Sequence, residues 1–134
     1  MTQRAKDWFE QAKKDLEQAK SSRESEHHEW ACFIAQQSSE KAVKALHLSK
    51  GQQAWGHTVA KLIEELPADV RPEQEIIEKA KVLDSFYVPT RYPNGHPEGA
   101  PFEHFGPLQS EEAINYAGEI VGFVSDKMAR EEGS

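Results

Sequence analysis

Residues 26–51 read EHHEWACFIAQQSSEKAVKALHLSKG, and this stretch decides the fold. No position in it breaks a helix before Gly51. Lys50 suits the negative end of a helix dipole, and Gly51 suits the stop. The spacing therefore predicts a helix from about Glu26 to Ser49. Its first half, Trp30-Ala31-Cys32-Phe33-Ile34-Ala35, is apolar on every face, as in a helix buried on all sides. It should be the central helix. Gln36-Gln37-Ser38-Ser39-Glu40-Lys41 then interrupts it, and six consecutive residues cover every face. Unpaired amides and charges are costly to bury. This turn and a half is expected to meet water, a partner chain or a ligand on at least one side.

Working outward, Ala5, Trp8, Phe9, Ala12, Leu16 and Ala19 recur at helical spacing, which predicts an amphipathic helix over 3–20. Ser21, Ser22 and Ser25 offer turn and N-cap chemistry after it. A shorter helix runs from Thr58, as its cap, to Leu66, with Val59, Leu62, Ile63 and Leu66 as its buried stripe, and Pro67 ends it. Pro72 opens a fourth helix lined by Ile76, Ile77, Ala80, Leu83 and Tyr87, which Pro89 stops. The last helix starts at Ser110 and carries Ile114, Ala117, Ile120, Val121, Val124 and Met128. The tail 130–134 should fray. No segment alternates with period two. The expected fold is all-α: an antiparallel four-helix, up-and-down bundle with one additional short helix and a long Pro-rich loop.

That loop, residues 88–109 (VPTRYPNGHPEGAPFEHFGPLQ), holds five of the seven prolines. Its three aromatic rings argue for an ordered segment packed on the helices, because disordered segments are poor in aromatics. It reads either as a strap over the bundle or as a functional loop.

The length of 134 residues fits one domain over 1–134, at roughly 100–200 residues per domain. Cys32 is the single cysteine, which excludes an internal disulfide and a four-cysteine zinc site; an inert buried thiol is expected. No metal and no cofactor is indicated, since adjacent His27 and His28 point to different helix faces. The charged N-terminus and the short apolar runs predict neither a leader nor a membrane span, hence a cytoplasmic address. A net charge of −7 opposes nucleic-acid binding by bulk charge and leaves room for a local basic site.

Three constellations carry chemistry. Gln37, Lys41 and Lys44 share a helix face, and 41–61 holds four lysines, His47, His57 and no acid. This is either a solvated face or an anion-binding strip. Arg91 and His96 stand five apart in the loop. Arginine can fork onto a phosphate and histidine can exchange a proton near neutral pH, so the pair has the parts for metal-independent RNA cleavage. Gly51–Thr58 approaches a phosphate-binding P-loop, but His57 replaces the lysine and a helix precedes it. An interhelical turn with Trp55 packed inward is the better reading.

Three motifs in register resemble a known family: Trp30-Ala31-x-Phe33-x-Ala35-Gln36-Gln37-x-x-Glu40-Lys41-Ala42-x-Lys44-Ala45-Leu46, then Gly56-His57, then Leu83-Asp84-x-x-Tyr87-x-Pro89-Thr90-Arg91-Tyr92-Pro93. Over Ala5 to Met128 the chain resembles the HEPN domain (higher eukaryote and prokaryote nucleotide-binding), in a Tyr-x-Pro-Thr-Arg-Tyr-Pro branch. The resemblance implies a five-helix domain on a four-helix bundle, commonly dimeric and often encoded beside a minimal nucleotidyltransferase in a toxin-antitoxin pair. Active toxins of that family are metal-independent RNases with an Arg-x4–6-His motif, which Arg91 and His96 match in spacing. Here Tyr92-Pro93 follows the arginine, where the nuclease branch of that family usually has a polar residue.

Three readings follow. One is a nucleotide- or RNA-binding module with Lys41, Lys44, Tyr87 and Arg91 as anion contacts and Tyr92 as a stacking ring. Another is an RNase using Arg91 and His96. The third is a non-catalytic homodimer that docks a nucleotidyltransferase. For the dimer, Ser38, Ser39, Ala42 and Ala45 look small enough for close approach across a two-fold axis.

Overall fold

A computed structural model of the chain describes residues 2–133, which form six α-helices. They are α1 (Gln3–Glu24), α2 (His28–Ser49), α3 (Val59–Glu64), α4 (Gln74–Asp84), α5 (Pro101–His104) and α6 (Pro107–Gly133). Short 3-10 turns lie at Ala68–Val70 and Pro93–Gly95. None of the described helices is long and apolar enough to cross a membrane. The long helices α1, α2, α4 and α6 make the bundle, and α3 is the expected short extra helix. The Pro-rich loop holds one more, α5, opened by Pro101 at a position where its missing N–H costs nothing.

Helix α2 is central and packs on α1, α3, α4, α5 and α6. Its partnership with α1 is antiparallel: Lys44 sits over the Trp8 ring, and the Ser38 hydroxyl donates to the Ala12 carbonyl at 2.6 Å. Ala5, Ala12 and Ala19 are fully buried, while Trp8, Phe9 and Leu16 are only half-buried. The regular alanine spacing makes a narrow seam that brings the two backbones close. At the far end, Arg23 of α1 donates to the Ser110 hydroxyl at 3.1 Å, to the Pro107 carbonyl, and pairs with Glu111. His28 meets the same Ser110 hydroxyl at 2.9 Å.

Several boundaries differ from expectation, each for a local reason. Helix α1 continues through Ser21 and Ser22 to Glu24, with Ser25 as its C-cap. Helix α4 begins at Gln74 rather than at Pro72, and it stops at Asp84, so Tyr87 lies in the following turns. Helix α6 opens at Pro107. Ser110 is buried inside its first turn, and the Gln109 side chain reaches back to accept from the Gly106 backbone N–H at 2.8 Å. The tail expected to fray is helical as far as Gly133, and Ser134 lies outside the described residues.

Burial also differs. Trp30 is 47% exposed and Phe33 and Ile34 are half-buried, so the start of α2 is not enclosed on all sides. Trp55 is 81% exposed instead of packing inward. Ser38, Ser39, Ala42 and Ala45 are fully buried inside the chain and are unavailable for a two-fold contact. The polar band is satisfied internally. Ser38 bonds to α1, Ser39 donates to the Ala35 carbonyl, and Gln36, Gln37 and Glu40 bond to one another or to neighbouring elements.

The Pro-rich loop is ordered. Buried Thr90 donates to the Phe86 carbonyl at 2.6 Å, and Phe86 meets Phe105 edge to face. Gly95 lies directly on Pro89: a Cβ there would sit 3.0 Å from the Pro89 Cα.

Candidate functional site

Helix α3 starts without help from its own N-cap, since Thr58 makes no side-chain capping bond. The cap comes from Asp84, the last residue of α4. Its carboxylate accepts from the Val59 N–H at 2.8 Å and the Ala60 N–H at 3.0 Å. Gln36, fully buried on α2, donates to the same carboxylate at 3.2 Å and to the His57 carbonyl at 2.8 Å. Three elements are thereby locked around the turn that carries His57.

The His57 side chain is set by a second carboxylate. Glu40 is 5% exposed and pairs with Lys44 at 3.0 Å. Its two oxygens lie 3.1 and 3.2 Å from His57 Nδ1. A carboxylate only accepts, so Nδ1 carries the proton and Nε2 keeps its lone pair in the neutral ring. The imidazole stacks on Tyr87 with centroids 5.2 Å apart and planes 16° apart. His57, Thr58, Asp84, Tyr87, Val88 and Pro89 line a cleft of about 390 Å³.

Arg91 approaches the same tyrosine. Its Nε donates to the Tyr87 carbonyl at 2.8 Å, and its guanidinium carbon lies 4.4 Å from the Phe33 centroid, 4.6 Å from Tyr87 and 5.1 Å from Tyr92. Stacking on rings is the natural use of a flat, weakly hydrated cation. Among the described residues no carboxylate pairs with Arg91. Trp30 meets Phe33 edge to face and extends the aromatic surface toward solvent, and Tyr92 is 49% exposed.

The other sequence candidates lie in different surroundings. Lys41 is ion-paired with Asp15 of α1, and Lys44 with Glu40. The acid-free span from 41 to 61 therefore meets its acids from elsewhere in the chain. His47 is buried, and its Nε2 donates to the Leu62 carbonyl at 2.7 Å. His96 donates from Nε2 to the Pro89 carbonyl at 2.6 Å, stacks on His104 with centroids 4.0 Å apart, and meets Phe105 edge to face. Arg91 and His96 thus share the loop but have separate neighbours: three aromatic rings for one, a histidine and a phenylalanine for the other.

The family model of the HEPN domain matches residues 5–128. The chain belongs to the HEPN domain family. Three crystal structures are similar to this HEPN chain. TT1696 from Thermus thermophilus is 47% identical with a TM-score of 0.92, the match covering 94% of this chain and 99% of that one. ST0689, an archaeal HEPN homologue, is 37% identical with a TM-score of 0.80 over 95% and 98%. A HEPN domain protein (tm0613) from Thermotoga maritima is 35% identical with a TM-score of 0.74 over 92% and 98%. No curated protein matches the chain.

On this HEPN bundle an oriented imidazole lines the cleft, and a guanidinium with no carboxylate partner among the described residues packs on the same Tyr87 ring, next to exposed Tyr92. That set can hold an anion next to a flat ring and can exchange a proton with a hydroxyl. From the sequence His57 was read only as one member of the 41–61 strip, and Glu40 and Asp84 were not read as site residues. The signals were present as Gly56-His57 and as the acid inside the polar band, but their pairing spans 17 residues of sequence. Only packing closes that distance.

Proposed function

We propose that the chain binds nucleotides or RNA, with Arg91 as the phosphate contact and Tyr87 and Tyr92 as ring contacts. The supporting observation is the guanidinium that stacks on three rings without a carboxylate partner. A phosphate can take its unused N–H groups in a two-pronged contact, and a base can stack on exposed Tyr92. Lys41 and Lys44 add positive potential at a distance, offset by Asp15 and Glu40. They contribute less than Arg91.

In this reading the protein works as a homodimer alongside a minimal nucleotidyltransferase, the arrangement that the family resemblance implies. Trp30 is roughly half exposed and offers an apolar contact for the two-fold interface. Arg91 and His96, which match the spacing of an RNase motif, have no direct bond between them in this reading, and His96 serves the loop.

Calorimetric titration with ATP, GTP and a short single-stranded RNA tests the binding. Wild type should bind, weakening as salt rises, because exposed charges are screened within about 8 Å at physiological salt. Arg91→Ala should abolish the heat and Tyr92→Ala should reduce it, whereas Lys41→Ala should change little. Equal heats in wild type and Arg91→Ala would overturn the assignment. Sedimentation of the same samples reads the assembly, with Trp30→Glu expected to shift a dimer toward monomer.

A further inference from the structure

We propose that the cleft between the start of α1, the end of α2 and the turn after α2 binds a small planar aromatic carboxylate. It is a second site, apart from the Arg91 surface, and it does not depend on the nucleotide reading.

Two pairs of residues at four-residue spacing build this cleft. Arg4 and Trp8 share one face of α1, and Lys44 and Leu48 share one face of α2. The helices are antiparallel, so the start of α1 lies beside the end of α2 and Lys44 meets Trp8. The chain then turns at Gly51, and Gln53, Ala54 and Trp55 complete the lining. The cleft holds about 340 Å³, and sites for small molecules run from about 300 to 1,000 Å³.

Three observations give the class of ligand. The first is Trp55, which is 81% exposed, so the fold does not use its ring. It stands between Gly51 and Gly56, both left-handed, and an added Cβ at either glycine would meet nothing within 4 Å. The backbone of this turn, and not packing around it, therefore holds the indole at the cleft. A large ring in water gains contact area by covering a flat ligand.

The second observation is that the rest of the lining is already apolar. Trp8, Leu48 and Ala54 are half-buried against the core and present their remaining surface to the cleft. The third is charge. Arg4 and Lys44 line the cleft and none of its lining residues is acidic, a local reversal on a chain of net charge −7. Glu40 holds Lys44 so that its Nζ lies 5.7 Å from the Trp8 centroid, and one carboxylate leaves further N–H groups of the ammonium for a ligand. Arg4 meets Asp7 at 3.4 Å with both side chains largely exposed, a weak surface pair that a ligand carboxylate can displace. A guanidinium fork suits a carboxylate in particular.

A flat apolar body with one carboxylate satisfies both the rings and the cations. The lining offers little to a ribose, since Gln53 is its one neutral polar side chain. Phe33, Tyr87 and Tyr92, the rings around Arg91, are not part of this cleft.

The test titrates the full chain with 2-naphthoate, with its neutral counterpart 2-naphthamide and with ATP, read by calorimetry and by the NMR signals of the three indole N–H groups. Naphthoate should bind with a Kd of about 1 mM or tighter and should shift the Trp8 and Trp55 signals while leaving Trp30 in place. Naphthamide should bind more weakly. Trp55→Ala should weaken naphthoate binding about 10-fold with an unchanged thermal melt, because the ring is exposed. Arg4→Gln should weaken the binding of naphthoate and not of naphthamide, and Arg91→Ala should alter neither. The heat of ATP binding should be unchanged in Trp55→Ala. Equal naphthoate affinity in wild type and Trp55→Ala overturns the proposal, as do equal affinities for naphthoate and naphthamide, shifts centred on Trp30, or no binding by wild type. ATP heat that is lost in Trp55→Ala and kept in Arg91→Ala would make the cleft a nucleotide site and overturn it too.

Discussion

Glu26 adopts a left-handed backbone, with φ of 64°, in the turn between α1 and α2. Its own N–H donates to the Arg23 carbonyl at 2.9 Å, and the next N–H, of His27, to the Ser22 carbonyl at 2.8 Å. These two bonds close a Schellman motif, whose left-handed position glycine normally fills. The same motif ends α2, where Gly51 occupies it with φ of 75°. For a residue with a Cβ that conformation costs roughly 1–2 kcal/mol. Glu26→Gly should therefore stabilise the protein by about 0.5–1 kcal/mol after the entropy of the freer unfolded chain is set against it. Denaturant midpoints of the two proteins measure this. Cys32 shows the opposite kind of residue-scale control. Burial, helped by Glu29 and Glu112, pushes its thiol up to about 12, which keeps it protonated and unreactive.

At the scale of elements, the short helix α3 exists because α4 supplies its cap. Six residues are too few to hold a helix alone in water. Asp84 accepts from two of its first amides, and its charge complements the positive helix end. Hydrogen bonds to a charged group are worth about 1.5–3 kcal/mol each. Asp84→Asn keeps the shape but can accept through one oxygen only. It should lower stability by about 2 kcal/mol in equilibrium unfolding. It should also loosen the turn that carries His57, visible as faster amide exchange at Val59 and Ala60. Helix α6 shows the contrasting case of a self-contained start: Gly106, Pro107 and Gln109 complete its cap within one turn.

At the scale of the whole molecule, the packing of α1 on α2 depends on what is small. Ala5, Ala12 and Ala19 leave no room at the seam, and the Ser38 hydroxyl crosses it to the Ala12 carbonyl. Cores resist added volume as firmly as lost volume. Ala12→Leu should cost about 3 kcal/mol by forcing the two backbones apart. Lys14→Ala, on the exposed face of the same helix, should stay within about 0.5 kcal/mol. Thermal melts of the two variants separate the seam from the surface.

The sequence by itself determined the all-helical bundle, the central place of α2, the Gly51 stop and an ordered Pro-rich loop. Those follow from periodicity and from residue types acting on neighbours three or four positions away. The HEPN family was legible in the same way, through motifs in register. Tertiary structure alone decided the fate of the polar groups. Gln36, Glu40 and Lys41 were readable as a polar band, but their partners Asp84, His57 and Asp15 lie 17 to 48 residues away. Local spacing carries no information about which distant side chain arrives. The same limit applied to burial, because the apolar run from Trp30 to Ala35 shows which residues tolerate a core but not how far neighbouring helices extend over them. It applied most strongly to the site, where α4 and α2 together aim His57 and Arg91 at one tyrosine ring.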